Sequence, residues 1–306
     1  MEQKQLHTSA ERQKQPISMV FDMETQDPDD FLTLLLLLGH PDVDLKAITV
    51  TPGTPQQIGV VRHALKWFAR EYIPVGAFNL EHPKECVSAW HYKVFGDIPP
   101  SFDAERGGDL LHEVCGPQTT LVTGAPLKNL GQAIQKPNFT LGRWVAQGGF
   151  AGEGVVPAAK QLPKFSGLAT CPTFNLNGDP KSALAALAHP GIELRHFVSK
   201  NVCHRVYYDQ SMHEAIRPLK DRSLSLQKIW QGMDSYLQKK SEGKRFHDPL
   251  AACCAIDPRI GQWAQVEMYR EGDRWGARLS EDSNTWIITD YDATKFFNVL
   301  TASSQR

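Results

Sequence analysis

Neither charge dominates this chain. Its 306 residues carry 33 Lys and Arg against 34 Asp and Glu, a formal net charge of −1. There is therefore no overall positive field of the kind that holds nucleic acid by its phosphates. Long apolar runs are missing too: the longest, Phe31 to Leu38, falls far short of the roughly 20 residues a membrane-spanning helix needs. Cysteine is sparse, with Cys86, Cys115, Cys171, Cys203, Cys253 and Cys254 showing no C-x-x-C spacing, which argues against a zinc ribbon or a dithiol redox motif. Cys253 and Cys254 sit in an apolar run and read as core thiols. That usage suits a reducing cytoplasm. Residues 1–15 are polar, mixed in charge and without an apolar core of the kind a secretory signal carries. They read as a disordered tail before one domain over 16–306. The expectation is a cytoplasmic protein with no membrane and no nucleic-acid partner.

Against this even background one stretch stands out. Asp22-Met23-Glu24-Thr25-Gln26-Asp27-Pro28-Asp29-Asp30 lies between Ile17–Phe21, with the character of a buried strand, and Phe31–Leu38, with that of a buried helix. Five carboxylates in nine residues thus fall where a strand hands over to a helix, the usual ligand position in open α/β sheets. Asp27 or Asp29 suffices to cap the helix. Five acids together repel one another unless a cation or a shared proton relieves them. A hard, oxygen-loving ion such as Ca²⁺ or Mg²⁺ is the simplest remedy; a solvated acidic turn is the plain alternative.

Strand and helix patterns alternate from residue 17 to about 200. Strands are expected at Ser18–Phe21, Leu45–Val50, Ile73–Gly76, Thr119–Val122, Arg143–Ala146 and Glu193–Val198, with helices such as Gln56–Glu71 and Lys181–Ala188 between them. Such alternation predicts an α/β fold with an open, largely parallel twisted sheet and helices on both faces. Past residue 205 the pattern becomes a helical insertion (Ser211–Pro218, Leu224–Lys240, His247–Asp257). A small β-rich segment (Trp263–Tyr269, Arg274–Leu279, Thr285–Thr289) and a last helix, Asp292–Leu300, follow.

A second acidic element is Arg245-Phe246-His247-Asp248-Pro249-Leu250-Ala251-Ala252. Asp248-Pro249 alone fits a helix start. Together with the first acidic loop it resembles the nucleoside hydrolase family, the inosine–uridine-preferring N-ribohydrolases, whose members begin with strand–DxDPGxDD–helix and carry HDPLA late in the chain. Val122-Thr123-Gly124-Ala125-Pro126-Leu127-Lys128-Asn129-Leu130 resembles that family's TGPLTNLA turn, Gln147-Gly148-Gly149 its MGG strand end, Phe174 to Pro180 its EFNxxxDP segment, and His91 to Gly96 its HGxxGLG segment. The matches occur in the family's order from about residue 17 to 300.

The resemblance implies hydrolysis of the N-glycosidic bond of a small nucleoside-like substrate. It implies Ca²⁺ held by Asp30, Asp248 and the main-chain carbonyl near Thr123, with Asp22, Glu24 and Asp27 all open as a further ligand. It implies Asp29 as general base and His247, or His91, as the group serving the departing base. It places Asn175 on a ribose hydroxyl, Gln147, Thr54, Thr173 and Glu24 around the substrate, and the chain in a homo-oligomer, dimer or tetramer. The chemistry suits those residues: the bond breaks through an oxocarbenium-like sugar cation that carboxylates favour.

The chain also departs from the pattern. Its first loop is one residue longer, Glu24 stands where an Asp ligand is usual, Thr54 replaces a ribose-binding Asn, and Thr173 replaces the Glu that grips the 5′-hydroxyl. The Asn usual after the two glycines is missing, and the longer segment between Pro157 and Phe174 adds Lys160 and Lys164. These changes suit a 5′-substituted or phosphorylated ribosyl group. Two further readings are a non-catalytic ribosyl-ligand binder on the same fold and a Mg²⁺-dependent phosphohydrolase.

Overall fold

The computed structural model describes residues 15–303, so all but the last residue of the expected N-terminal tail lies outside the described residues. β1 (Ile17–Met23) pairs in parallel with β2 (Val43–Val50), and β2 with β3 (Val75–Ala77), which meets β4 (Glu105–Arg106). On its other edge β1 pairs with β5 (Thr120–Thr123), followed outward by β6 (Leu141–Gln147). The order is β4-β3-β2-β1-β5-β6, and the chain runs outward from β1 in both directions. That reversal opens a crevice at the carboxyl ends of β1 and β5, the topological switch point where open sheets bind ligands.

Past β6 and a two-residue β7 (Thr170–Cys171), β8 (Ile192–Val198) continues the parallel array. β9 (Tyr207–Tyr208) and β10 (Lys244–Arg245) form a separate antiparallel ribbon that closes the helical insertion at its base. The expected β-rich segment is present: β11 (Gly261–Glu271), β12 (Arg274–Leu279) and β13 (Thr285–Tyr291) extend the main sheet. β13 lies parallel to β8, while β11, β12 and β7 add antiparallel pairings at that edge.

β1 is buried from Met19 to its end, as a central parallel strand covered on both faces must be. Met19, Phe21 and Met23 pack into one core and Val20 into the other, following the two-residue alternation of side chains along a strand. The first core holds α1 (Pro28–Gly39) and α2 (Pro55–Trp67); the second holds residues of the helices Gly107–Val114, Lys128–Ala133 and Pro180–Ala188. Helices therefore cover both faces. α1 is buried along its whole length from Pro28 to Leu38, and a helix apolar on every side belongs inside. It packs against the helices Leu224–Leu237 and His247–Ile256, which carries the second acidic element to the first.

The shortest elements differ from their sequence expectations for local reasons. β3 starts at Val75 rather than Ile73, because Pro74 has no N–H to give a ladder. β4, β7, β9 and β10 are two residues each, too short for an alternation to show. Among the described residues no helix is long and apolar enough to cross a membrane.

Because Leu35 is fully buried in the first core, Leu35→Ala is expected to destabilise the protein by about 2–5 kcal/mol. Urea unfolding followed by circular dichroism measures it; a loss within about 0.5 kcal/mol, the range of ordinary surface substitutions, would contradict this account of α1.

Candidate active site

The β1–α1 loop folds back on itself when the Glu24 backbone N–H donates to Asp30 Oδ1 at 3.1 Å. Asp29 and Asp30 then occupy the first turn of α1, and Asp248 the first turn of the helix His247–Ile256. Carboxylate oxygens of Asp29, Asp30 and Asp248 lie within 4.8 Å of one another, and these residues are only 2%, 2% and 5% exposed. Burial, then the charges of Asp248, Glu24 and Asp29, push Asp30 well above the usual carboxylate range. Burial, then Asp29, does the same to Asp248, with Lys244 opposing. Glu24 is raised to about 7 by burial and by Asp27 and Asp29. Like charges gathered out of water call for a cation.

The local packing is shaped for one. Asp248 Oδ1 is buried without a hydrogen-bond partner, an arrangement that costs free energy unless a ligand completes it. Gly124 follows β5 here, and a Cβ on it would lie 2.8 Å from Asp248 Oδ1 and 3.0 Å from Asp30 Oδ1. The all-oxygen, all-acidic donor set fits a hard divalent ion such as Ca²⁺.

Asp29 is held on both sides. Its Oδ2 accepts the backbone N–H groups of His247 (3.1 Å) and Asp248 (3.3 Å), the free donors at the start of that helix. Its Oδ1 meets Lys244 Nζ at 3.1 Å, and the same ammonium reaches Asp27 at 2.9 Å. Burial pulls Lys244 down, but Asp29 and Asp27 outweigh it and hold the ammonium above its ordinary range. The β9–β10 ribbon fixes Lys244 in this place through its pairing with Tyr208.

These acids line one side of a cavity of about 450 Å³, whose other residues include Gln147, Thr173, Asn175, Lys200, His204 and His247. Asn175 donates to the Gln147 carbonyl at 3.1 Å and to Gln147 Oε1 at 2.8 Å. Thr173 Oγ1 is buried without a partner. His247 Nδ1 lies 3.2 Å from Cys203 Sγ, which also accepts from Gln147 Nε2 at 3.4 Å. Burial pushes the Cys203 thiol up to about 12. Burial first, then the nearby Lys244, pulls His247 down to about 3, so its ring is neutral near pH 7. Cys203, His204 and His247 offer ligand atoms within 4.8 Å of one another.

Several residues singled out from the sequence lie elsewhere. His91 is fully buried, its Nε2 3.1 Å from the Thr25 carbonyl, with its ring edge-on to Phe31. It braces the acidic loop from behind and does not line the cavity, because α3 (Ala89–Phe95) turns it inward onto α1. Thr54 is likewise outside the residues lining the cavity. It caps α2 in a reciprocal capping box with Gln57 and donates to the Glu85 carbonyl at 2.7 Å, away from the cavity. Asp22 also lies behind the site, accepting from Thr49 at 2.6 Å and Asn129 at 2.9 Å. Thr123 ends β5 just before Gly124, its hydroxyl taken by Trp144 Nε1 at 3.0 Å. Lys160 is drawn off by Asp290 at 2.8 Å, whereas Lys164 Nζ reaches His204 Nδ1 at 2.7 Å. The sequence reading passed over Lys244, Lys200, Cys203, His204 and Gly124. Of these, Gly124 lies within the quoted Thr123-Gly124-Ala125-Pro126 turn and Lys244 three residues before His247.

A sequence profile described as "Inosine-uridine preferring nucleoside hydrolase" matches residues 19–298. A protein of Schizosaccharomyces pombe, "Uncharacterized protein C1683.06c", is 23% identical over 302 residues, covering 89% of this chain and 94% of that protein. In fold the chain is similar to a plant nucleoside hydrolase, PpNRh1 (TM-score 0.72, 18% identity, 94% of this chain and 98% of that one). It is also similar to a purine-preferring ribonucleoside hydrolase from Gardnerella vaginalis (0.68, 18%, 93% and 96%). An inosine-uridine preferring nucleoside hydrolase from Bacillus anthracis compares at 0.67 and 17% identity, over 93% and 98%.

Removing Lys244 leaves Asp27 and Asp29 facing each other without their counter-charge. Lys244→Met is expected to cost about 3–5 kcal/mol of stability, read by thermal or urea unfolding. A cost below about 1 kcal/mol, as for a surface pair, would show that the ion pair does not hold the site.

Proposed function

The chain belongs to the inosine-uridine preferring nucleoside hydrolase family and is an N-ribosyl hydrolase, and we propose that it acts on a ribonucleoside or related N-ribosyl compound with Ca²⁺ as its cofactor. The observation that carries this reading is the meeting of Asp29, Asp30 and Asp248, from distant parts of the sequence, at the sheet's switch point.

Asp30, Asp248, Glu24 and the main-chain carbonyl of Thr123 would hold the ion. Of the three acids left open by the sequence, Glu24 lines the cavity and bonds to Asp30 through its backbone; Asp27 also lines it but is held by Lys244, and Asp22, its Oδ1 taken by Thr49 and Asn129 and its Oδ2 buried without a partner, does not line it. A Ca²⁺ ion held there would balance the carboxylates and supply Lewis acidity toward water.

Asp29 is placed to take a proton from the attacking water as the water oxygen bonds to C1′ of the sugar. The C1′–N bond breaks, and its electron pair leaves on the base nitrogen. The surrounding carboxylates favour the positive charge that develops on the ribosyl ring. Lys244 and the two backbone N–H groups fix the Asp29 carboxylate in one orientation, so it needs no rearrangement to act. With Nδ1 beside Cys203, Nε2 is the His247 nitrogen left to give the departing base a hydrogen bond. Asn175 and Gln147, already bonded to each other, hold ribose hydroxyls. Six free thiols support a reducing, cytoplasmic setting; a dimeric or tetrameric assembly rests on the family likeness alone.

Asp29→Asn is expected to lower kcat about 10²–10⁴-fold, the range for loss of a general base, with an unchanged circular dichroism spectrum. Wild-type turnover of inosine or uridine is the control, since binding of ribose analogues without turnover would mark a non-catalytic binder.

Asp248→Ala and Gly124→Ala are each expected to weaken Ca²⁺ binding at least tenfold by isothermal titration and to reduce the stabilisation Ca²⁺ gives in thermal melts. If Asp248→Ala bound Ca²⁺ as tightly as wild type, the metal assignment would be wrong.

A further inference from the structure

The cavity lining divides by charge: Glu24, Asp27, Asp29, Asp30 and Asp248 are acidic, whereas the wall residues Lys200, His204 and Thr173 are not. Lys200 Nζ donates to the Pro172 carbonyl at 2.9 Å, which seats the ammonium beside Thr173. No carboxylate among the described residues lies within ion-pair distance of Lys200, in contrast to Lys244, which has two. Lys164 stands behind His204, its Nζ 2.7 Å from His204 Nδ1. That contact makes Nδ1 the acceptor and leaves the His204 proton on Nε2, a donor. Thr173 is only 4% exposed, and its hydroxyl has no partner. A half-buried ammonium, a hydroxyl donor and an imidazole donor without an internal anion make an incomplete set.

The acceptor-rich group that completes such a set is a phosphomonoester, with close to two negative charges near pH 7 and three acceptor oxygens. We infer that this wall is a subsite for a phosphate carried on the ribosyl group, so that the substrate is a nucleoside monophosphate rather than a nucleoside. The inference rests on the hydrolase reading above and deepens it. Lys200 supplies the charge, Thr173 and His204 supply neutral donors, and Lys164 orients His204. The phosphate stays on the sugar throughout: water adds to C1′, the base leaves with the electron pair of the broken bond and gains a proton, and a ribose phosphate is released.

The test uses the full chain with Ca²⁺. Rates are measured on inosine and uridine and on their 5′- and 3′-monophosphates, for wild type, Lys200→Ala, Lys200→Glu and Lys200→Arg. The expected result is a kcat/KM at least tenfold higher for one monophosphate than for its nucleoside. That ratio falls at least tenfold in Lys200→Ala, falls further in Lys200→Glu and is largely kept in Lys200→Arg; the preferred isomer tells which sugar carbon bears the phosphate. Turnover of nucleosides with a wild-type ratio near one, or a ratio that Lys200→Glu leaves unchanged, overturns the phosphate subsite while the hydrolase reading stands. Should none of the compounds turn over, that reading fails instead. Calorimetric binding of the same compounds then decides the subsite: tighter binding of a monophosphate that Lys200→Glu abolishes supports it, and equal binding overturns it.

Discussion

Repulsion between buried carboxylates is the constraint on which this site depends. Asp29, Asp30 and Asp248 are drawn together and removed from water, a costly arrangement unless positive charge is brought to them. The chain supplies part of that charge itself. Lys244 bridges Asp27 and Asp29, and two backbone N–H groups at a helix start complete Asp29. Nothing comparable serves Asp248 Oδ1, which is buried and unpartnered. The acids thus divide into a compensated pair, Asp27 and Asp29, and an uncompensated pair, Asp30 and Asp248. A base must keep an orientation, and a cation ligand must keep an open oxygen. That division agrees with the two roles proposed for them.

The fold makes the meeting possible through a single buried helix. α1 begins at the acidic loop and is covered along its length, and the helix His247–Ile256 packs against it. Residues more than 200 positions apart in the chain then present their first turns to the same point. Gly124 completes the approach from β5, where any side chain would enter the space between Asp30 and Asp248. Two strands and two helix starts therefore converge on one cluster. Each contributes by its end, as ligand sites at switch points do.

Much of this was legible in the sequence because it was written in long, regular signals. The apolar run of β1, the acidic turn and the Leu-rich α1 gave the central layer, and the βα alternation gave the parallel sheet. The Asp248-Pro249 pair marked the second acidic helix start. What stayed hidden depended on contacts rather than patterns. His91 and Thr54 lay in segments that match a functional motif by order, yet α3 packs His91 onto Phe31 and a capping box claims Thr54. A chain position states which residue is available; only packing states which way it turns. Lys244 was invisible for the converse reason. A lone lysine in a two-residue strand has no periodicity, and its partners lie at the other end of the chain.

The lengthened first loop brings these threads together. Nine residues, Asp22 to Asp30, carry the chain from the end of β1 into the first turn of α1, and the acids among them reach Asp248 only if that turn is held in one conformation. The loop is then tied down at three points: the Glu24 N–H on Asp30, the Thr25 hydroxyl on the Cys86 carbonyl, and the Thr25 carbonyl on His91. Asp27, at the tip, is held by Lys244 from the helical insertion. Fixing a loop costs conformational entropy, and here Glu24, Thr25 and Asp27 each meet a specific partner. His91 and Lys244 thus act on the same loop from opposite sides of the sequence, and together they hold it in register with Asp248.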